Sequence, residues 1–145
     1  MVIEAEQLLD EFDNTRSGPE RLRVLLVEDD ADSRDILAAL IRRDGHDVFT
    51  ASDGAEALAV AADCRPQVVI TDVCMPRMSG VELCQRLRHE LPSPPHAILA
   101  LTALATETWI DPAPASFDEV FAKPIDFNSL AARLTAYAKL VQSWR

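Results

Sequence analysis

Val68-Val69-Ile70-Thr71-Asp72-Val73-Cys74-Met75-Pro76-Arg77-Met78-Ser79-Gly80 is the stretch that decides the fold. It opens on a nearly continuous Val/Ile run, as expected of a strand covered on both faces. Pro76 interrupts any regular element, and Ser79-Gly80 then opens a helix. In that helix Leu83, Leu87 and Leu91 recur at helical spacing. One carboxylate, Asp72, therefore stands where a buried strand gives way to a loop.

The same pattern repeats outward in both directions. Apolar runs at Leu22–Val27, Val48–Ala51, Ala97–Leu101 and Val120–Ala122 read as the other strands. Ile36, Leu37, Leu40 and Ile41 recur at helical spacing after the first run, with Gly45 where that helix should end. Leu130, Leu134, Tyr137 and Val141 repeat the spacing in the last segment. Five strand–helix units with short connections imply an α/β fold, a doubly wound parallel sheet with helices on both faces. The flavodoxin-like (βα)5 order 2-1-3-4-5 is borrowed from that fold group and not read from the residues. The fourth helical unit is the irregular one. Thr106–Asp111 gives one or two turns before Pro112 and Pro114 stop it, and six of the nine prolines fall between Pro92 and Pro124.

Composition narrows the function. The 145 residues are 48% hydrophobic and 26% charged, ordinary for one globular domain. No apolar run is long enough to span a membrane, and the acidic first twenty residues do not form a secretory signal. Three cysteines without metal-ligand spacing fit free thiols in a reducing cytoplasm. The net charge of −10 excludes a general nucleic-acid binder, because phosphate contacts need a basic footprint. Residues 1–20 hold six acids and one base, half of the net negative charge.

Sheets of this kind bind ligands at the carboxyl ends of their strands, where the strand order reverses. At those ends stand Glu28-Asp29-Asp30, Asp72 with Cys74-Met75-Pro76, Thr102-Ala103 and Lys123-Pro124. Each alone has an ordinary reading: an acid as a turn or helix cap, a Thr as a strand end, a Lys-Pro pair as a loop. Together they carry chemistry. Clustered carboxylates repel one another unless a cation neutralises them, and oxygen ligands select a hard ion such as Mg2+. A carboxylate can act as a nucleophile and form an acyl phosphate. A metal, an ammonium and a hydroxyl could then each meet one phosphoryl oxygen.

With those segments in view, Leu22–Val141 resembles the receiver domain of two-component response regulators. The resemblance implies that residues 21–145 form the receiver domain and that Asp72 is the phosphoacceptor. Asp29 would ligate Mg2+ directly, Glu28 through water, and Asp72 and the backbone carbonyl of Cys74 would complete the protein ligands. Thr102 would donate its hydroxyl to a phosphoryl oxygen, and Lys123 would pair with the phosphorylated carboxylate. Asp30 would be a cap or turn residue, and the peptide before Pro124 is often cis in this family. The implied partners are a sensor histidine kinase or histidine phosphotransfer protein and a downstream protein target, with no nucleic acid and no membrane. The chain would be a phosphoacceptor and not an enzyme, with at most self-phosphorylation and self-dephosphorylation.

The chain departs from the family pattern in three places. Val120 stands where receivers usually carry the Tyr or Phe that couples to the threonine, and Phe121 would face the opposite side of the strand. The Thr102-to-Lys123 stretch is about one residue short of the family pattern, with prolines where the fourth helix normally continues, so the face of the fourth helix, fifth strand and fifth helix is expected to be non-standard and not to form the common symmetric dimer. Cys74 and Leu104 occupy two positions that influence phosphoryl lifetime in this family, and neither suits an attacking water, so slow self-dephosphorylation is expected.

Beyond the receiver, Val2, Ala5, Leu8, Leu9 and Phe12 fall within about 120° of a helical wheel, so the acidic extension 1–20 reads as an amphipathic helix ended by Ser17-Gly18-Pro19, or as a frayed tail. The chain reads as a single-domain regulator, with a receiver cut from a larger protein as the other option. Two alternatives compete on function. A degenerate receiver serving as a phosphorylation-independent scaffold fits Val120, but five intact site residues oppose it. A Mg2+-dependent phosphatase of the haloacid dehalogenase type would need a carboxylate where Cys74 stands.

Overall fold

The computed structural model describes residues 21–103 and 117–143. In chain order they form β1 (Arg23–Val27), α1 (Ala31–Arg43), β2 (Asp47–Ala51), α2 (Gly54–Cys64), β3 (Val68–Asp72), α3 (Gly80–Glu90), β4 (Ala97–Thr102), β5 (Glu119–Ala122) and α4 (Phe127–Ser143). The five strands form one sheet in the order β2-β1-β3-β4-β5, every neighbouring pair parallel. Strand edges match the sequence reading to within a residue.

Alternation along the strands divides the interior into two cores. Val24 and Leu26 of β1, with Val68, Ile70, Leu99 and Leu101, face Ile41 of α1 and Leu130 and Leu134 of α4. Leu25 and Val27, with Val69, Ile98 and Ala100, face Ala57 and Ala61 of α2 and Leu83 and Leu87 of α3. β1, β3 and β4 are thus covered on both sides, which is why their sequences are nearly unbroken apolar runs.

Local chemistry sets the helix starts. Asp30, Asp53 and Ser79 each accept a hydrogen bond from the backbone N–H three residues on, at Ser33, Glu56 and Glu82. Asp30 is therefore the N-cap of α1, as the sequence indicated. Gly45, at φ 100°, follows α1 as expected.

The helix expected from Ile36, Leu37, Leu40 and Ile41 is present, but it does not bury all four. Ile41 is buried and Leu37 packs against the core, but Ile36 is 63% exposed. The helical spacing is real; its apolar stripe is simply wider than the sheet covers. The expected helix in residues 1–20 and the irregular fourth unit around Thr106–Asp111 lie outside the described residues, as do Leu104, Trp109 and Trp144. No helix among the described residues is long and apolar enough to cross a membrane.

Candidate functional site

β2 and β3 flank β1 on opposite sides, so the connections leaving β1 and β3 diverge at their carboxyl ends and open a crevice. The last residues of the strands converge there. A cavity of about 250 Å³ at this edge is lined by Glu28, Asp29, Asp72, Cys74, Thr102 and Lys123, among others. All six residues singled out from the sequence are thereby brought to one place.

The backbone holds each of them. Glu28 donates its N–H to Ala51 O (3.1 Å), and Arg34 Nη1 donates to Glu28 O (2.9 Å), which fixes the turn that presents Asp29. Asp72 ends β3. The Thr71 hydroxyl donates to its carbonyl oxygen (2.9 Å), and the next residue, Val73, donates its N–H to Leu101 O (3.1 Å). Thr102 ends β4, and its carbonyl accepts the Lys123 N–H (2.7 Å), joining the hydroxyl-bearing and ammonium-bearing loops. The Lys123–Pro124 peptide is cis.

Glu28, Asp29 and Asp72 each offer a carboxylate oxygen within 4.8 Å of the others. Glu28 and Asp72 are buried and Asp29 is exposed. Lys123 Nζ lies 3.0 Å from Glu28 Oε1 and 2.6 Å from Asp72 Oδ1. Asp72 Oδ1 is buried and, although so close to the ammonium, receives no hydrogen bond of ordinary geometry. An atom in that position, beside two further carboxylates, fits the donor set of a hard divalent cation.

The charges are strongly coupled. Burial, reinforced by the neighbouring Glu28, pushes the Asp72 carboxyl up to about 7 against the opposing pull of Lys123. Burial acts to raise Glu28 too, but hydrogen bonds with Asp72, the Asp30 N–H and Lys123 outweigh it and hold Glu28 below its ordinary value. Lys123 is held above its ordinary value: burial opposes this, but its two carboxylate partners prevail. Two buried carboxylates thus face one lysine, which cannot neutralise both; a divalent cation at this cluster would offset the remaining negative charge.

A family model of the response regulator receiver domain matches residues 24–135. The chain belongs to this family. Among curated relatives of the receiver, the probable transcriptional regulatory protein TcrX of Mycobacterium tuberculosis is 35% identical over 83% of this chain and 51% of its own length. Response regulator MprA of Mycobacterium sp. (strain KMS) is 37% identical over 79% of this chain and 50% of its own. This receiver thus spans about half the length of the curated relatives it matches. Among solved structures, chemotaxis response regulator CheY4 of Vibrio cholerae is 31% identical with a TM-score of 0.68, covering 79% of this chain and 97% of that one. Response regulator TrrA of Thermotoga maritima, solved in complex with Mg(2+)-BeF, is 28% identical with a TM-score of 0.70 at the same coverages.

The receiver also depends on a residue that the sequence reading used only as a helix start. A Cβ on Gly80 would lie 2.2 Å from the carbonyl oxygen of Asp72 and 2.9 Å from Val73 Cα. Gly80 also donates its N–H to Val73 O (2.7 Å). The available signal was a glycine in the first turn of a helix, where most residues would serve better. Cys74 is exposed, Cys64 half-buried and Cys84 buried, and none of the three is in a disulfide.

Proposed function

We propose that this receiver takes a phosphoryl group onto Asp72, from a histidine kinase or a histidine phosphotransfer protein, and signals through altered binding of a protein partner. The observation that supports this most directly is the cluster of three carboxylates at the strand ends of the sheet, two of them in contact with Lys123 Nζ. An Asp72 carboxylate oxygen forms the new P–O bond while the phosphorus–nitrogen bond to the donor histidine breaks, and the imidazole leaves with the electron pair.

Glu28, Asp29, Asp72 and the Cys74 carbonyl would hold Mg2+, which when bound supplies charge neutralisation for the carboxylates and the incoming phosphoryl group. Thr102 ends β4 and Lys123 follows β5; on this reading the hydroxyl and the ammonium meet phosphoryl oxygens from the other side. The likeness to TrrA, solved with Mg(2+)-BeF, supports this assignment. Catalysis of a separate substrate is no part of the role: the position two residues after Asp72 carries the exposed Cys74 thiol, not the carboxylate a phosphatase of the competing type would use. On this reading the domain works in the cytoplasm.

A symmetric dimer through β5 and the last helix is not expected. The charges there are engaged within the chain: Arg133 Nε contacts Glu119 Oε2 at 2.8 Å and Arg88 Nη2 contacts Asp118 Oδ2 at 2.9 Å. A phosphorylated-state structure showing that dimer would overturn this part.

The deciding experiment is incubation with Mg2+ and a small acyl phosphate, followed by intact mass, beside Asp72→Asn. A mass gain of one phosphoryl group that needs both Mg2+ and Asp72 is expected. Absence of the adduct after rapid acid quench would favour the scaffold alternative.

A further inference from the structure

A second cavity, about 310 Å³, lies between α1 and the chain entering α4. Ile36, Leu37 and Leu40 form one wall, Ile125 and Phe127 form the other, and Lys123 stands at the end nearest the phosphoacceptor. Ile36 is the most exposed large apolar side chain among the described residues, at 63%. Leu37, Ile125 and Phe127 are only partly buried where they meet the core. The Arg43 guanidinium sits 6.0 Å from the centre of the Phe127 ring, placing a positive charge at the lip of this groove.

The chain carries a segment of matching chemistry. Val2, Ala5, Leu8, Leu9 and Phe12 share one helical face, while Glu4, Glu6, Asp10, Glu11 and Asp13 fall outside it. A helix this short does not hold by itself in water and needs a surface to cover. Geometry allows this groove. β1 begins at Arg23, at the end of the sheet opposite the carboxylates, and α1 runs back toward that end. Residues 13–21 can span roughly 30 Å when extended, at about 3.3 Å each. The thirteen residues of α1 measure only about 20 Å. The tether therefore reaches any point along α1.

We propose that residues 2–12 of this chain dock in the groove between α1 and the entry to α4. Their apolar face covers Ile36, Leu40 and Phe127, and their acids lie toward Arg43, away from the carboxylates around Lys123. The docking stands whether or not Asp72 accepts a phosphoryl group, so the two readings fail separately.

The test uses the full chain with labelled Ile and Leu methyl groups and a soluble paramagnetic agent, comparing wild type with a Leu8→Asp/Leu9→Asp variant. Neither substitution touches the described core. The Ile36 methyl signal is expected to be bleached several-fold less in wild type than in the variant, with shift differences gathered at Ile36, Leu40 and Ile125. Equal bleaching in the two proteins overturns the proposal, as does protection that survives in the variant. Protection that disappears on dilution assigns the groove to a second copy and also overturns it.

Discussion

Gly80→Ala tests how the backbone positions the phosphoacceptor. The added methyl would sit 2.2 Å from Asp72 O, 2.9 Å from Val73 Cα and 3.1 Å from Asp72 C. A carbon–oxygen contact settles at about 3.3 Å, so the start of α3 and the end of β3 must part by roughly 1 Å. Every atom in the way is backbone, tied down by Gly80 N–H to Val73 O and Val73 N–H to Leu101 O. Overpacking of this kind costs about 1–3 kcal/mol, and the better helix propensity of Ala returns at most about 1. A net loss of about 1–2 kcal/mol lowers Tm by roughly 3–6 °C in a domain of this size. Gly54→Ala is the internal control. It also opens a helix, but its nearest obstacle is Met78 Sδ at 2.5 Å, on a flexible side chain that can turn aside. Chemistry should suffer more than stability at Gly80, because a 1 Å displacement of a reacting group can slow a reaction by about a hundredfold. Thermal unfolding and the rate of adduct formation from a small acyl phosphate measure both effects. Should Gly80→Ala unfold no earlier than Gly54→Ala and accept phosphoryl groups at the wild-type rate, the positioning role of this contact is refuted.

Other substitutions probe different parts of the molecule. Lys123→Met removes the one ammonium among the three carboxylates; metal affinity should rise by about tenfold, since a divalent ion no longer meets that charge, while adduct yield falls. Titration calorimetry with Mg2+ checks it, and weaker binding would count against the cluster as the metal site. His46 is buried, with Nδ1 accepting the Leu22 N–H at 3.1 Å, and burial pulls its pKa down although Asp44 and Asp47 oppose this. The folded state therefore prefers the neutral ring, and this contribution is complete above the ordinary value of about 6.5 and is lost as pH falls through the lowered one. Wild-type Tm should drop more steeply than that of His46→Asn below that pH; parallel curves would remove His46 from the account. Arg65 caps α2 at φ 50° and ψ 66°, a conformation that strains an L-residue by about 1–2 kcal/mol. Arg65→Gly should raise the urea midpoint, with Arg23 Nε still bonded to the residue 65 carbonyl; an unchanged or lower midpoint would show that the side chain stabilises more than the strain costs.

The parts of this molecule legible in its sequence are those where one residue type has one physical use. β3 could be recognised because a strand covered on both faces must be apolar throughout, and Asp72 stood out because it breaks that rule at the strand's last residue. Asp30, Ser79 and Gly45 announced helix ends through capping and positive φ. Ile36 marks the limit of the same logic, since periodicity shows that a helix has an apolar side but not how far its partner extends. The role of Gly80 was hidden for a different reason. Its importance lies in a distance to the Asp72 carbonyl, and a sequence holds no distances. The raised pKa of Asp72 was equally out of reach, since it depends on burial, on Glu28 beside it and on where Lys123 Nζ comes to rest.

The readout side is harder to read because its determinants are spread across elements. β5 is the edge strand, and its residues alternate between partly buried and exposed. Phe121 turns inward against the core shared by α1 and α4, while Val120 is 38% exposed, so the only ring on this strand points away from the outer surface. The residues that β5 turns outward are Val120 and Ala122, while its one charge, Glu119, lies on the partly buried face with Phe121. Glu119 accepts hydrogen bonds from Arg133 (2.8 Å) and from the Tyr137 hydroxyl (2.5 Å), and Asp118 accepts from Arg88 (2.9 Å) and from the Ile98 N–H (2.7 Å). One end of β5 is thus fastened to α3, β4 and α4 by carboxylates, and the other to Thr102 through the Lys123 N–H. Among the described residues, the end of β4 and the chain leaving β5 are tied backbone to backbone, so the two strand ends are positioned together.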